Sequence, residues 1–256
     1  CALIVIYNMS KLFIYGCSHS SNHRVSMNEF WGQLLSNQLK LDKLVVRSAP
    51  GRGVGHILSL LFEDIYNREI QVGDVVIWNT SYPARFSHPY LNRDIVVGQF
   101  GQDSLDRAEY RIKDVDGKTK RLWSHDMDMI NHWFQQTVVG YDIIKGLGVE
   151  VYQWCLFGVE ELEELLNVVT LRNKNEITYE NEKGLCYLNP TIDTRPIIKW
   201  ENLIQPPSEY KDWMGFIEYH MLGLDGETNT FDAHMNVRGH KRFSQELYKT
   251  IKEIRN

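Results

Sequence analysis

Short apolar runs alternate with amphipathic helical segments along this chain, and that alternation is what most constrains its fold. Lys11–Gly16 is rich in β-forming residues and stops at a glycine, which is typical of a strand buried on both faces of a sheet. From Asn28 to Lys40, apolar residues instead recur at helical spacing. Strands alternating with helices predict an α/β fold, a three-layer α/β/α sandwich around a mostly parallel sheet. The same pattern predicts strands at Leu44–Val46, Asp74–Trp78 and Val149–Trp154, and helices at His56–Tyr66, Met127–Lys145, Glu160–Leu166 and Gly239–Ile254.

The length of 256 residues fits one large domain, which we expect over residues 9–256, with residues 1–8 as an N-terminal extension. Two segments interrupt the alternation. An insertion after the third strand, about residues 86–125, contains Asp116-Gly117, a dipeptide that favours a tight hairpin turn. We therefore expect a β-hairpin there. Four prolines between about residues 168 and 212 predict an irregular cap segment.

Composition argues against several classes of partner. The net charge is −5 and no run of Lys and Arg forms a basic stripe, so we do not expect nucleic acid binding. The apolar run Ala2–Tyr7 is too short to cross a membrane and lacks the features of a secretion signal, so neither membrane insertion nor secretion is expected. Scattered cysteines favour a reducing compartment, and the default expectation is a cytoplasmic location. These cysteines are Cys1, Cys17, Cys155 and Cys186.

The turn after the first strand carries the first candidate for chemistry. In open α/β sheets, ligands bind beyond the carboxyl ends of the strands, and Gly16-Cys17-Ser18-His19-Ser20 lies at such an end. A serine in a sharp strand-to-helix turn lies near backbone N–H groups that can bind an anion. Ser18 is therefore a candidate nucleophile. The alternative is that Ser18 or Ser20 is only a helix cap or turn residue.

A second candidate lies just ahead of the final helix, within Thr230–His240. A serine hydroxyl needs an imidazole to take its proton and a carboxylate to orient that imidazole. Asp232 can reach the Nδ1 of His234 if the chain turns there, which leaves Nε2 to face Ser18. The alternative is that Asp232 and His234 are solvated loop residues or helix caps.

Together, these two motifs and the βα alternation between them resemble the SGNH hydrolase superfamily, also called GDSL esterases and lipases. The resemblance spans about residues 11–254. It implies a flavodoxin-like α/β/α fold, ester substrates, no cofactor, and a triad of Ser18, His234 and Asp232. Cys17 replaces the aspartate that precedes the serine in the family. The family's Asp-x-x-His is one residue longer than the spacing here.

The resemblance also implies an oxyanion hole. The family takes one donor from a glycine after the second strand, which places it at Gly51, with Gly53 as the alternative. The other donor is an asparagine after the third strand, which places it at Asn79, with Ser81 as the alternative. The family's Gly-x-Asn-Asp signature is absent. Both glycines can instead serve a turn that needs positive φ. Arg85 is a candidate contact for an anionic substrate group, or a member of a surface ion pair.

Two other functions remain open from the residues. His19 and His23, with Asp232, His234 and His240, can in principle hold a divalent metal, but no known metal motif matches and we expect no metal. A catalytically drifted carbohydrate-binding or structural protein is the alternative to the enzyme. For the enzyme, the expected partner is a small-molecule or glycan ester, with carbohydrate O-acetyl groups as the specific hypothesis. The sequence does not indicate the oligomeric state.

Overall fold

The computed structural model describes residues 9–23, 25–50, 52–80, 85–88, 93–96, 108–113, 119–124, 126–156, 202–222 and 232–256. Only the backbone is described for residues 85–132, 134, 221–222 and 232–233 within these ranges. The strands are β1 (Lys11–Gly16), β2 (Lys43–Ser48), β3 (Val75–Asn79), β4 (Arg85–His88), β5 (Arg93–Val96), β6 (Ala108–Lys113), β7 (Thr119–Ser124), β8 (Glu150–Trp154), β9 (Met221–Leu222) and β10 (Asp232–Met235). The helices are α1 (Trp31–Leu39), α2 (Val54–Tyr66), α3 (Asp126–Gly146), α4 (Trp213–Tyr219) and α5 (Val237–Arg255).

The central sheet consists of four parallel strands in the order β2–β1–β3–β8. Gly16 at the end of β1 lies opposite Ser48 at the end of β2. Asn79 at the end of β3 lies opposite Trp154 at the end of β8. The carboxyl ends of the strands therefore meet at one edge, which is where ligands bind in open α/β sheets. The predicted parallel sheet is confirmed.

Helices cover both faces of this sheet. The side chains of β1 alternate between two buried clusters, because successive residues of a strand point to opposite faces. Phe13 and Tyr15 belong to the cluster that includes α2 and α3. Leu12 and Ile14 belong to the cluster that includes α1, α4 and α5. All four side chains are fully buried. The three-layer α/β/α architecture is therefore confirmed.

The first helix begins later than its periodicity predicts. We predicted a helix from Asn28, whereas α1 begins at Trp31. A separate 3-10 turn precedes it, closed by a capping box in which the hydroxyl and backbone N–H of Ser26 both donate to Glu29. Phe30 between the two elements is extended, with φ −67° and ψ 132°. A strong local cap thus starts one short turn and separates it from the helix.

The remaining elements follow the predicted pattern with small shifts at their ends. β1 spans the predicted residues, and the other predicted elements that are described differ by at most two residues at either end. Helix α4 is absent from the sequence predictions, because its seven residues are too few to show a period. The helix predicted at Glu160–Leu166 lies outside the described residues.

Two antiparallel strand pairs lie in the insertion between β3 and α3. β4 pairs with β5, and β6 pairs with β7. Lys113 at the end of β6 lies opposite Thr119 at the start of β7, on either side of Asp116-Gly117. The second pair therefore occupies the residues where we expected the hairpin.

Within the described part of the expected cap segment, residues 202–204 pair with the edge strand β8. Gln153 N–H donates to the carbonyl of Asn202, and Ile204 N–H donates to the carbonyl of Gln153. The single domain over residues 9–256 stays a prediction. Among the described helices, none has both the length and the apolar character required to cross a bilayer.

A buried carboxylate ties α2 to the sheet. Asp64 on α2 is fully buried and accepts a hydrogen bond from the Tyr15 hydroxyl at 2.6 Å. It also forms an ion pair with Arg47 of β2, whose Nε lies 2.9 Å from Asp64 Oδ2. Burial, and then the hydrogen bond to this carboxylate, raise the pKa of Tyr15 above its usual range. The three groups therefore connect β1, β2 and α2.

Replacing Asp64 with Asn leaves Arg47 without its partner anion. We expect Asp64→Asn to lower the free energy of unfolding by about 2–3 kcal/mol, less than for a fully buried pair because the Arg47 side chain is 33% exposed. Urea unfolding measures the change. The matched control is Glu69→Gln, which breaks the exposed Lys11–Glu69 pair and costs less than about 1 kcal/mol. Equal losses in the two variants would show that Asp64 has no special role.

Candidate active site

A short 3-10 turn, Ser18–Ser20, follows β1 at the carboxyl edge of the sheet. The glycine that ends β1 makes this turn possible. A β-carbon at Gly16 would lie 2.4 Å from Ser20 Oγ and 2.7 Å from Asn79 Cβ, which is too close for any other residue without a shift of its neighbours. Gly16 thus allows the chain to reverse tightly against the end of β3. The turn places Ser18 just inside the surface, with 2% of the residue exposed.

Trp31, the first residue of α1, holds this turn from the helix layer. Its indole N–H donates to the carbonyl of His19 at 2.9 Å. Its backbone N–H donates to Nδ1 of His240 at 3.4 Å, and such N–H groups have no partner within their own helix. Its buried ring packs edge-on against Phe243 of α5. One residue therefore connects the turn after β1 to the start of α5.

The strand that carries His234 leads directly into α5. The sequence interpretation required a turn between Asp232 and His234. The structure places both in strand β10, whose register against β9 shifts between Asp232 and Met235. The strand ends at Met235, and the side chain of the next residue, Asn236, caps α5 by accepting from Gly239 N–H at 2.8 Å. Asn236 N–H in turn donates to the carbonyl of His220 at 2.8 Å. A cap and a backbone hydrogen bond therefore fix the junction just beyond His234.

The ring of His234 lies against two imidazoles from the segment after β1. Its centroid is 5.1 Å from that of His19, with the planes inclined by 28°, and 4.5 Å from that of His23, with the planes inclined by 59°. His19 is buried, whereas His23 and His234 are half-buried. Because His19 directly follows Ser18, the structure brings the predicted base beside the turn of the predicted nucleophile.

The packing of these three histidine rings was not predicted from the sequence. The sequence analysis grouped His19 and His23 with His234 only as ligands of a hypothetical metal site, and no local pattern indicated that their rings pack against each other. Their repeated occurrence beside Ser18 was the only available signal. The hydrogen bond from Ser18 Oγ to His234 Nε2 stays a prediction. The orientation of His234 by Asp232 also stays a prediction, since the Asp232 side chain lies outside the described residues.

A fourth histidine, His240, is held neutral next to this cluster. It is 2% exposed, and burial, followed by the charge of His234, lowers its pKa to about 4. Its Nδ1 accepts the Trp31 N–H, so in the neutral ring the proton is on Nε2. His240 is therefore a neutral residue of fixed tautomer, and Trp31 is the contact that sets it.

Asn79, the predicted oxyanion donor, is fully buried at the end of β3. Its amide Nδ2 donates to the carbonyl of Trp154 at 3.3 Å. Its Oδ1 lies 3.4 Å from the Cys17 thiol, which donates to it. These contacts join the ends of β1, β3 and β8 and orient the amide. Donation by Asn79 to an oxyanion stays a prediction.

The other proposed site residues are only partly described. Gly51 and Ser81 lie outside the described residues, and Arg85 is described only as backbone at the start of β4. Gly53 is the N-cap of α2, with φ −88° and ψ 165°. Positive φ is therefore not the reason for a glycine at position 53, and that alternative is wrong.

The histidine cluster does not have the arrangement of a metal centre. In the described part of the chain, no group of three or more His, Cys, Asp or Glu residues is placed to hold a metal ion. His19 and His234 face each other as nearly parallel rings, and imidazole lone pairs lie in the ring plane. Stacked rings of this kind do not aim their nitrogens at one point.

No family model and no curated protein matches the sequence. Solved structures to which the chain is similar include the esterase EstA from Pseudoalteromonas sp., inhibited by monoethylphosphonate, with 12% identity, a TM-score of 0.45, and coverage of 95% of this chain and 97% of that one. A member of the lipolytic protein G-D-S-L family from Veillonella parvula has 10% identity and a TM-score of 0.40. That match covers 95% of this chain and 97% of that one. A carbohydrate esterase, described as having divergent catalytic and non-catalytic binding functions, has 9% identity, a TM-score of 0.41, and coverage of 97% and 70%.

Because Ser20 and Asn79 lie so close to Gly16, a methyl group added at this position should destabilise the fold. We expect Gly16→Ala to lower the free energy of unfolding by about 1–3 kcal/mol, because Ser20 and Asn79 must move. The matched control is Gly146→Ala at the end of α3, where nothing lies within 4 Å of the added carbon, and it should be neutral or stabilising by up to about 1 kcal/mol. Urea unfolding compares the two. Equal effects would contradict the steric explanation.

The role of Trp31 can be separated from its contribution to the core. Trp31→Phe removes the indole N–H that holds His19, and we expect amide hydrogen exchange at Ser20 and Ser21 to become faster. Trp213→Phe is the matched control, because Trp213 is equally buried and donates to the carbonyl of Ile204 at 2.9 Å. Each variant should lose about 1 kcal/mol of stability. Faster exchange in both variants, or in neither, would show that Trp31 does not hold the turn.

Proposed function

We propose that the chain is an ester hydrolase in which Ser18 is the nucleophile, His234 the general base and Asp232 the residue that orients His234. The observation that supports this most directly is the contact of His234 with His19, the residue that follows Ser18. The contact lies at the carboxyl edge of a parallel sheet. Acyl transfer to serine requires an imidazole close to the hydroxyl, and this contact brings His234 to the turn that carries Ser18.

Ester hydrolysis by these residues takes two steps, acylation of Ser18 and hydrolysis of the acyl-serine. Ser18 Oγ attacks the ester carbonyl carbon while His234 accepts the hydroxyl proton, and His234 then gives that proton to the departing alcohol. Water next attacks the acyl-serine with His234 again as base, the acid departs, and the proton returns to Ser18. The overall reaction is ester plus water to acid plus alcohol, with no oxidant, metal or cofactor consumed.

The negative charge on the tetrahedral intermediate needs hydrogen-bond donors. From this segment we propose the N–H of Ser18 as a donor, as the resemblance to SGNH hydrolases implies; the N–H groups of Ser20 and Ser21 already donate to backbone carbonyls within the turn. The N–H of Gly51 and the amide of Asn79 are the other proposed donors. Each donor of this type contributes about 3–4 kcal/mol to the transition state.

For the substrate, we propose acetyl esters of carbohydrates. The sequence shows no long apolar segment of the kind that would bind a lipid chain, which favours a short acyl group on a polar alcohol. Arg85 is the proposed contact for an anionic group on such a substrate.

The deciding variant is Ser18→Ala. We expect wild type to hydrolyse a short-chain aryl acetate in the presence of a chelator, and Ser18→Ala to lose at least about 10⁴-fold in kcat/KM. A fluorophosphonate should form an adduct that peptide mass spectrometry maps to Ser18. Ser59→Ala is the control, because the Ser59 hydroxyl is exposed on α2 and donates only to its own helix. It should retain activity and labelling.

The outcomes separate the candidate functions. Equal hydrolysis by wild type and Ser18→Ala would exclude Ser18 as the nucleophile. Absence of both hydrolysis and labelling across a panel of esters, with binding of a glycan detected by NMR, would instead support the drifted binding protein. Release of acetate from an acetylated oligosaccharide, compared with an aryl acetate, would test the carbohydrate hypothesis.

A further inference from the structure

Ser21, the residue that follows the turn after β1, binds back to the carbonyl of the proposed nucleophile. Its backbone N–H donates to the Ser18 carbonyl at 3.2 Å, and its side-chain hydroxyl donates to the same oxygen at 2.9 Å. A carbonyl oxygen has two lone pairs, so Ser21 alone supplies a donor for each of them. Ser21 is buried, so water does not compete readily for these hydrogen bonds. The hydroxyl makes the shorter of the two contacts.

We propose that Ser21 is a positioning residue, whose hydroxyl holds Ser18 in place relative to His234 for attack on the ester. This inference rests on the proposed function, in which Ser18 is the nucleophile and His234 its base. Ser21 neither contacts the substrate nor exchanges a proton. It acts through the backbone of Ser18.

The planarity of the peptide unit extends the effect of Ser21 to two side chains. The Ser18 carbonyl belongs to the unit that joins Ser18 to His19, and the α-carbons of both residues lie in the plane of that unit. Two donors on its oxygen therefore limit rotation of the whole plane. The ring of His19 packs against that of His234, with 5.1 Å between the centroids. Ser21 thus fixes the nucleophile relative to a residue that contacts the base.

Other groups hold the peptide units on either side of this one. The Cys17 carbonyl accepts the Ser20 N–H at 3.0 Å, and the His19 carbonyl accepts the Trp31 indole N–H at 2.9 Å. Three consecutive carbonyls of the turn therefore each have a donor, and the middle one, that of Ser18, receives the Ser21 hydroxyl. Removal of this hydroxyl consequently loosens one peptide plane while both of its neighbours stay held.

The location of Ser21 distinguishes it from a serine that only closes a turn. Serine hydroxyls often bond back to a carbonyl three residues earlier, where they stabilise the local backbone. Here the accepting carbonyl belongs to the proposed nucleophile, and Ser21 lies between two residues whose rings contact His234. His19 is one of them, and His23 is the other, with 4.5 Å between its ring centroid and that of His234. Loosening the chain at Ser21 should therefore change the rate of reaction as well as stability.

Ser21→Ala removes the hydroxyl and keeps the backbone N–H. We expect kcat for an aryl acetate to fall about 10–100-fold, because small displacements of a reacting group are costly, while KM stays close to the wild-type value. Ser21→Thr keeps a hydroxyl and suits the extended backbone here, with φ −116° and ψ 166°, so it should restore most of kcat. The control is Ser48→Ala, which removes a hydroxyl bond of 3.0 Å to the carbonyl of Ile14 within the sheet and should leave kcat unchanged.

Urea unfolding and amide hydrogen exchange separate a loss of position from a loss of fold. Ser21→Ala and Ser48→Ala should lose similar, small amounts of stability, whereas exchange at residues 20 and 21 should become faster in Ser21→Ala alone. If Ser21→Thr does not fold, the comparison of these two variants decides.

An unchanged kcat in Ser21→Ala, or a fall in kcat that Ser48→Ala reproduces, would overturn the inference while Ser18→Ala remains inactive. A folded Ser21→Thr variant as slow as Ser21→Ala would also overturn it. Hydrolysis that survives Ser18→Ala would instead overturn the proposed function and the catalytic part of this inference with it. Faster exchange confined to Ser21→Ala would then still establish that the Ser21 hydroxyl holds the turn.

Discussion

Strand β1 is paired on both edges and buried on both faces, and the positions of the other elements depend on it. β2 and β3 hydrogen-bond to its two sides in parallel register. Its side chains enter both cores, so neither helix layer can move without disturbing them. The chain leaves this rigid strand at Gly16, where a close approach to Ser20 and Asn79 leaves no freedom for the turn. Ser18 is thus held by the most constrained element of the sheet.

The other part of the proposed site, on β10 and at the start of α5, comes from the C-terminal end of the sequence. Trp31 and His240 are 209 positions apart, and the hydrogen bond between them is one of the contacts that close this loop. The entropy of closing so long a loop must be offset by many contacts, and most of them lie in the packing of α1 against α5. The site therefore forms only when the fold is essentially complete.

The sequence predicts the sheet and the Ser18 turn well, because both follow from local patterns. Apolar runs identified the four central strands, and a glycine after a buried strand identified the turn. Non-local features were not accessible in this way. The packing of His19 and His23 against His234 depends on where β10 lies in space, and the shift in register between Asp232 and Met235 depends on the pairing of β10 with β9. The interior position of Asn79 likewise follows from contacts with Cys17 and Trp154 that no local pattern reveals.

The two cores of the protein differ in their relation to the site. The core beneath α2 and α3 contains the Asp64 network, which joins α2 to the sheet on the side of β1 opposite to Trp31. The core beneath α1 and α5 contains Trp31 and Phe243, whose rings meet edge-on at 5.1 Å. Through its two N–H groups, Trp31 contacts the turn after β1 at His19 and the first turn of α5 at His240. A change in packing around Trp31 is therefore transmitted to both histidines. Side chains are closely packed in such cores and do not absorb displacements. The geometry of the site is therefore more sensitive to the packing between α1 and α5 than to that beneath α2 and α3.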